Sequence, residues 1–443
     1  MQLYARSGDE TLVNTVTQYR QMNPKITRLS TGGYVVLWTD ESLTGGDTSG
    51  FAVKAQIFDS AGGKVGGQFL VNTATGGHQT VESVAMTPDG GFVAVFRTVS
   101  NTLKAQIFDS SGAKVGGELV VAAAVPNSAQ TNSHASATVL ADGTVIVAWG
   151  RSDPGNGDHI FARAFSATGA AVGSEFRIDT AITPSLTPSI TALASGGWVA
   201  TWYSWAASGV VGQLFAADGA KVGGEFTVDS GASSPVVTAL SGGGFVVGWG
   251  EDDGANDGTL GGVRARIFDG SGAALGPAFQ VNSIIRGFQG DIGIDDMPGG
   301  GFVVTWTDLS GVGRDWEAYG IMAQLFDSAG EKVGTQFLVD PVTQGGQELS
   351  QVAALASGTL VVVWQAATDD SPYPDVKAQL FTPYAGTATD IALSPASVSE
   401  TAIGNYAVAT LSDNGGVNSA KTYALLADST GGAFRIEGNR LIV

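Results

Sequence analysis

Extended apolar runs ending in tryptophan recur along the chain, at Trp38, Trp149, Trp202, Trp249, Trp306 and Trp364, with Phe96 filling the same place once, at spacings of 47 to 58 residues. Each run is followed by a second apolar segment that closes on phenylalanine, at Phe58, Phe108, Phe165, Phe215, Phe268, Phe326 and Phe381. The first kind of segment, such as Phe245-Val246-Val247-Gly248-Trp249, is hydrophobic at nearly every position. That pattern predicts a strand buried on both faces, packed between two neighbouring sheets. The second kind, Val53 to Phe58 in the first repeat, alternates more clearly. Two weaker segments complete the unit. One precedes the tryptophan run, as Ile26 to Leu29 or Ile190 to Leu193, often after a proline (Pro24, Pro188, Pro235) whose missing N–H suits the start of a strand. The other ends in Val71-Asn72, Ile178-Asp179, Val228-Asp229, Val281-Asn282 or Val339-Asp340. Glycine pairs such as Gly32-Gly33 and Gly196-Gly197 mark tight hairpins, and Asp59, with its counterparts Asp109 and Asp327, marks a turn in which the carboxylate accepts local N–H groups.

Four short strands repeated at a period of roughly fifty residues predict an all-β, seven-bladed β-propeller, with an open solenoid as the alternative. The seventh repeat stops at Phe381 without a fourth strand. The chain begins with one to spare: residues 8–14, Gly-Asp-Glu-Thr-Leu-Val-Asn, match residues 66–72, Gly-Gly-Gln-Phe-Leu-Val-Asn. This N-terminal strand is expected to complete the last blade and close the ring, which removes exposed strand edges. The propeller is therefore assigned to residues 1–383, followed after Thr382-Pro383 by a linker at 384–389 and a different pattern over 390–443.

Composition narrows the function. With 41 acidic and 22 basic residues, a net charge of −19 disfavours nucleic acid and anionic membrane surfaces as partners. There is no cysteine, which excludes disulfides within the chain and thiolate chemistry. Apolar runs such as residues 358–364 are strand-sized, so no membrane insertion by a helix is expected. The opening Met-Gln-Leu-Tyr-Ala-Arg lacks a basic segment followed by an apolar one, which leaves residence in the cytoplasm or export by a signal elsewhere.

The segment 390–443 resembles the opening part of a bacterial cadherin-like domain, an Ig-like β-sandwich, through Ile391-Ala392-Leu393-Ser394, Ser397-Val398-Ser399-Glu400, Val408-Ala409-Thr410-Leu411-Ser412 and Phe434-Arg435-Ile436-Glu437-Gly438-Asn439. Where such domains usually place an Asp-x-Asp motif, this chain has Asp413-Asn414-Gly415-Gly416. The propeller repeats resemble those of very large secreted bacterial adhesins of the RTX type. That resemblance implies a secreted or cell-surface bacterial protein, exported by a type I system, that takes part in cell adhesion.

Candidate chemistry concentrates in the loops between second and third strands. Five of them hold acids: Asp40, Glu41 and Asp47; Asp153 and Asp158; Glu251, Asp252, Asp253 and Asp257; Asp308, Asp315 and Glu317; Asp369, Asp370 and Asp375. Hard oxygen ligands on glycine-rich loops suit calcium, and Asp252, Asp253, Asn256 and Asp257 form the densest set, against the alternative of a merely solvated loop. Trp205 and Trp316 stand outside the repeated strands, and with Tyr203, Tyr319, Tyr373 and Asp315 they suggest carbohydrate binding, with sugar rings stacked on aromatics and hydroxyls bonded to a carboxylate. Each could instead plug its own loop. The recurring Gln21, Gln79, Asn132, Gln289 and Gln347 read as clasps between blades. The Phe-Asp-x-x-Gly turn matches the Asp box of sialidase-like propellers in position only, and His78, His134 and His159 show no zinc spacing. The leading expectation is a noncatalytic binding module, not an enzyme, that recognises a cell-surface or matrix glycan, or a protein partner, through acidic loops. Alternatives are a structural spacer and a polysaccharide-degrading enzyme.

Overall fold

The structure is a computed structural model that describes residues 3–124, 131–153, 157–180, 185–251, 262–284, 287–310, 319–340, 345–368 and 371–384, with short strands within 391–442. Seven four-stranded antiparallel sheets are described in the propeller part. In the first blade the strands are Gln21–Arg28, Tyr34–Asp40, Ala52–Phe58 and Lys64–Leu70, paired in that order from the axis outward. Five further blades repeat this order, and the last is built from Gln347–Ala354, Leu360–Thr368, Ser371–Tyr384 and the N-terminal strand Leu3–Leu12. That strand starts earlier than residue 8 and pairs antiparallel with the third strand, from Leu3 opposite Tyr384 to Leu12 opposite Lys377. The repeat equivalence holds at the level of single bonds: Val376 N–H donates to Asn14 Oδ1 (2.8 Å) as Val53 N–H donates to Asn72 Oδ1 (2.9 Å).

Near-continuous hydrophobicity in the second strands follows from their position. Alternate residues face opposite neighbours, so Phe92, Ala94 and Phe96 pack against the first blade while Val93 and Val95 pack against the third. Each junction between adjacent blades holds one buried cluster, including the junction between the last blade and the first, where Val13, Trp38, Leu355 and Val363 meet. The core is thus a ring of interfaces.

The turn aspartates behave as expected: Asp59 Oδ1 accepts the N–H groups of Ala61 (2.9 Å) and Gly63 (2.8 Å). The recurring glutamine is a clasp, with Gln79 Oε1 accepting from Asn72 of the preceding blade (3.1 Å) and Gln79 Nε2 donating to Gly76 O (2.9 Å). The prolines sit differently from expectation. Pro24, Pro188 and Pro235 lie inside the innermost strands, each one residue after a non-glycine residue of positive φ: Asn23 (53°), Thr187 (53°) and Ser234 (48°). The same bulge occurs at His134, Asp291 and Leu349. An innermost strand is an edge strand, so a bulge there costs no ladder to a further strand.

Its remaining edge groups are met by side chains of the preceding blade. Ser83 Oγ accepts from Ala137 N (3.1 Å), Ser136 Oγ from Ile190 N (3.1 Å) and Ser189 Oγ from Val237 N (3.0 Å).

Beyond the ring, Ile391–Ser394, Ala407–Asp413, Arg440–Ile442 and Arg435–Glu437 pair in a sheet of their own. Most of 390–443, and with it the expected cadherin-like domain, lies outside the described residues.

Candidate functional site

The bulges re-aim side chains of the innermost strands toward the ring axis, where residues from all seven blades enclose a funnel of about 870 Å³. Asn23, Val81, His134, Thr187, Ser234, Asp291 and Leu349, one per blade, line it. Non-glycine residues held at positive φ are uncommon, and six of these seven adopt it. Charged neighbours in the lining, Lys25, Glu82, Arg97 and Glu251, add to those seven different residues.

Its charges fall into partnered and less partnered groups. Glu82 accepts from Arg97 Nε (2.9 Å) and from Ala135 N–H (3.2 Å), and Glu251 accepts from Arg264 (2.7 Å). Asp291 is open to the funnel, yet the surrounding wall strips much of its hydration. That desolvation raises its pKa above the ordinary carboxyl value, the nearby charge of Glu348 adds to the rise, and hydrogen bonds from Thr307 and Leu349 with the charge of Lys25 oppose it. Lys25 moves the other way: desolvation lowers its pKa, while Glu82 and Asp291 partly restore it. Lys25, on the first blade, therefore senses carboxylates on both sides of it, Glu82 on the second blade and Asp291 on the sixth.

The acids foreseen in the loops have other duties. Asp40 is buried and pairs with Lys54 (2.8 Å), while also accepting from Trp38 Nε1 (3.2 Å). Asp308 repeats this with Trp306 Nε1 (3.3 Å) and Ser310 N (2.9 Å). Asp47 accepts from Asn72 (3.0 Å), and Asp375 accepts from Asn14 (2.7 Å). These carboxylates tie strand ends together and are not solvated ligands. The proposed calcium set, Asp252, Asp253, Asn256 and Asp257, lies outside the described residues, as do Asp315 and Trp316. Among the described residues no group of three or more acidic or histidine side chains is placed to hold a metal ion.

The remaining aromatics occupy separate pairs. Trp205 meets Tyr203 at 5.8 Å in a T-shaped contact, Tyr319 meets Phe288 at 6.0 Å, and Tyr373 meets Tyr19 at 6.0 Å. Phe288 lines the funnel, so Tyr319 supports its wall. His78 packs against Phe51 (4.4 Å), and His134 lines the funnel. Sequence reasoning missed the funnel residues because the spacing of a propeller marks where a blade begins but not which residue bulges inward. The signal present was the Asn-Pro, Thr-Pro and Ser-Pro pairs at 23–24, 187–188 and 234–235, which read as strand starts.

No protein-family model and no curated protein matches the chain. Its fold is that of solved seven-bladed propellers. It is similar to a protein of unknown function from Dyadobacter fermentans (TM-score 0.51, 10% identity, 86% of this chain and 99% of that one). It is also similar to an α-L-arabinanase from Penicillium chrysogenum solved with arabinobiose (TM-score 0.50, 11% identity, 86% and 98%). An α-L-arabinofuranosidase from Fusarium graminearum, solved with an iminosugar inhibitor, matches at TM-score 0.49, with 10% identity over 85% and 98%. The expectation that this chain is no enzyme is corrected at this point. Rings of the same architecture include enzymes, and the funnel wall holds both a carboxyl with raised proton affinity and an ion-paired carboxylate, which the repeat pattern gave no reason to expect.

Proposed function

We propose that the chain is a carbohydrate-active propeller that hydrolyses glycosidic bonds in its axial funnel. The observation that supports this reading is that the funnel wall carries Asp291, whose pKa is raised, and Glu82, ion-paired with Arg97, with the charge of Lys25 acting between them. A glycosidase needs one carboxyl that holds a proton and one that stays ionised. Asp291, desolvated and with its proton held more firmly, gives that proton to the departing glycosidic oxygen. Glu82, ion-paired with Arg97, takes the proton of the attacking water, whose oxygen bonds to the anomeric carbon as the old bond breaks. The charge of Lys25 favours the Asp291 carboxylate that is left once the proton has gone. The same reading takes a glycan as partner and an extracellular bacterial setting, which the absence of cysteine and the acidic surface suit.

The test is release of reducing sugar from a panel of plant and bacterial polysaccharides and oligosaccharides. Hydrolysis by the intact chain, reduced at least a hundredfold in Asp291→Asn and in Glu82→Gln, is the expected outcome. A panel without turnover, or turnover indifferent to both substitutions, removes the reading.

A further inference from the structure

The hairpin joining the second and third strands of the fourth blade, Trp198–Ser204 and Gly209–Phe215, is short and tightly fixed. Ser208 N–H donates to Trp205 O (3.2 Å), Gly231 N–H donates to Ser208 O (2.8 Å), and Ser208 is held at φ 50°. This rigid turn holds a tryptophan out in water: Trp205 is 58% exposed, whereas the tryptophans of the blade strands are fully buried. Ala206, Ala207 and Ser208 around it are small and exposed, so nothing bulky obstructs the indole. Tyr203 meets it edge to face, at an interplanar angle of 84°, and a T-shaped contact leaves at least one face of the indole uncovered. Keeping so large an apolar ring in solvent on a backbone without slack is unfavourable, and a ligand that covers it offsets that cost.

The hairpin continues into the funnel. Tyr203 lies opposite Leu186 on the innermost strand, and the next residue, Thr187, lines the funnel wall. A pyranose or furanose whose C–H face covers the indole therefore sits one strand away from the funnel wall. Charge narrows the class. Glu82 is matched by Arg97 and Glu251 by Arg264, so neither leaves an excess charge in the wall. A polyanion would also approach against a net charge of −19.

We propose that the Tyr203–Trp205 hairpin is a stacking subsite for an uncharged polysaccharide chain, which it delivers to the funnel past Thr187. The proposal takes its ligand class from the glycan reading above, yet it is tested by binding and not by turnover. Affinity electrophoresis of the intact chain, Trp205→Ala, Trp205→Phe and Val99→Ala uses soluble arabinan, galactomannan and xyloglucan as neutral probes and polygalacturonate as the charged one. Retardation by at least one neutral polymer, weakened about tenfold by Trp205→Ala, largely retained by Trp205→Phe and untouched by Val99→Ala, which removes another exposed apolar side chain, is expected. The bound polymer also shields Trp205 from acrylamide quenching, a fluorescence change that Trp205→Phe lacks. Absence of retardation by every neutral polymer, equal retardation of Trp205→Ala, or Trp205-dependent retardation by polygalacturonate overturns the subsite. Trp205-dependent binding without any hydrolysis removes the catalytic reading alone. Hydrolysis of short oligosaccharides with unchanged binding by Trp205→Ala removes the subsite alone.

Discussion

Asp295 shares the strand Gln289–Asp296 with Asp291 but turns its carboxylate to the neighbouring blade, accepting the N–H of Ala354 (2.8 Å). Burial pushes its pKa up to about 6, against the opposing pull of the Ala354 hydrogen bond and the Arg28 charge. The folded chain therefore keeps a proton there that the unfolded chain gives up near the ordinary value of about 3.9. Below that ordinary value the group does not penalise folding. As pH rises from about 4 through 6 the folded state must lose its proton in a desolvated place, and stability falls by on the order of 1–3 kcal/mol. Asparagine keeps an acceptor for Ala354 and carries no charge. Thermal melts of Asp295→Asn are thus expected to equal the wild type near pH 4 and to exceed it at pH 7.5, and identical pH profiles would remove this account. Asp291 titrates in the same direction, which is why the difference between the two proteins, not the wild-type profile, isolates Asp295.

Within a blade, the hairpin from first to second strand shows how one element constrains its sequence. A Cβ at Gly33, Gly91, Gly197, Gly244 or Gly301 would lie 2.0 to 2.2 Å from the carbonyl oxygen of the phenylalanine that ends the third strand. The residue after each of these glycines is an aromatic stacked on that same phenylalanine, as in Trp198 on Phe215 at 4.0 Å and Phe92 on Phe108 at 4.7 Å. In the third and last blades the pair becomes Thr144-Val145 and Thr359-Leu360, with neither the glycine nor the stacked ring. Ring stacking draws the third strand in, and only glycine leaves room. Gly197→Ala is expected to lower stability by about 1–3 kcal/mol through this overlap, while Gly224→Ala, with open space around it, stays within about 0.5 kcal/mol. Denaturant melts that rank the two alike would count against the stacking argument. Such features explain why the blades were legible in the sequence: burial on both faces and crowded turns leave each strand a narrow choice of residues. The funnel was not legible, because its bulged positions carry Asn, Val, His, Thr, Ser, Asp and Leu, a set with no shared property beyond facing the axis. The loop acids misled for the opposite reason: Asp40 and Asp308 look like surface carboxylates but cap buried tryptophans.

At the scale of the whole molecule, closure depends on a strand that comes from the far end of the chain. Leu3–Leu12 gives the last blade its outer strand, and the residues after it fasten the last blade to the first. Asn14 bonds Val376, Asp375 and Gln21, Glu10 pairs with Lys377 (2.9 Å), and Arg6 reaches Val339 O in the sixth blade (2.8 Å). Val13 is fully buried in the cluster between last and first blades, a contribution of about 1.5–3 kcal/mol by itself. Deleting residues 1–14 removes all of these at once and leaves the strand Ser371–Tyr384 as an open edge. The truncated chain is expected to melt several degrees lower, with amide exchange in residues 360–381 accelerated far more than in the third and fourth blades, which lie across the ring. A synthetic peptide of residues 1–14 added in trans should restore both properties, because it carries the same register of hydrogen bonds and the same buried valine. If the truncated chain melts and exchanges as the intact one does, the six remaining junctions hold the ring without its N-terminal strand. If it is destabilised but the peptide does not rescue it, covalent attachment, by lowering the entropic cost of closure, matters more than the contacts themselves.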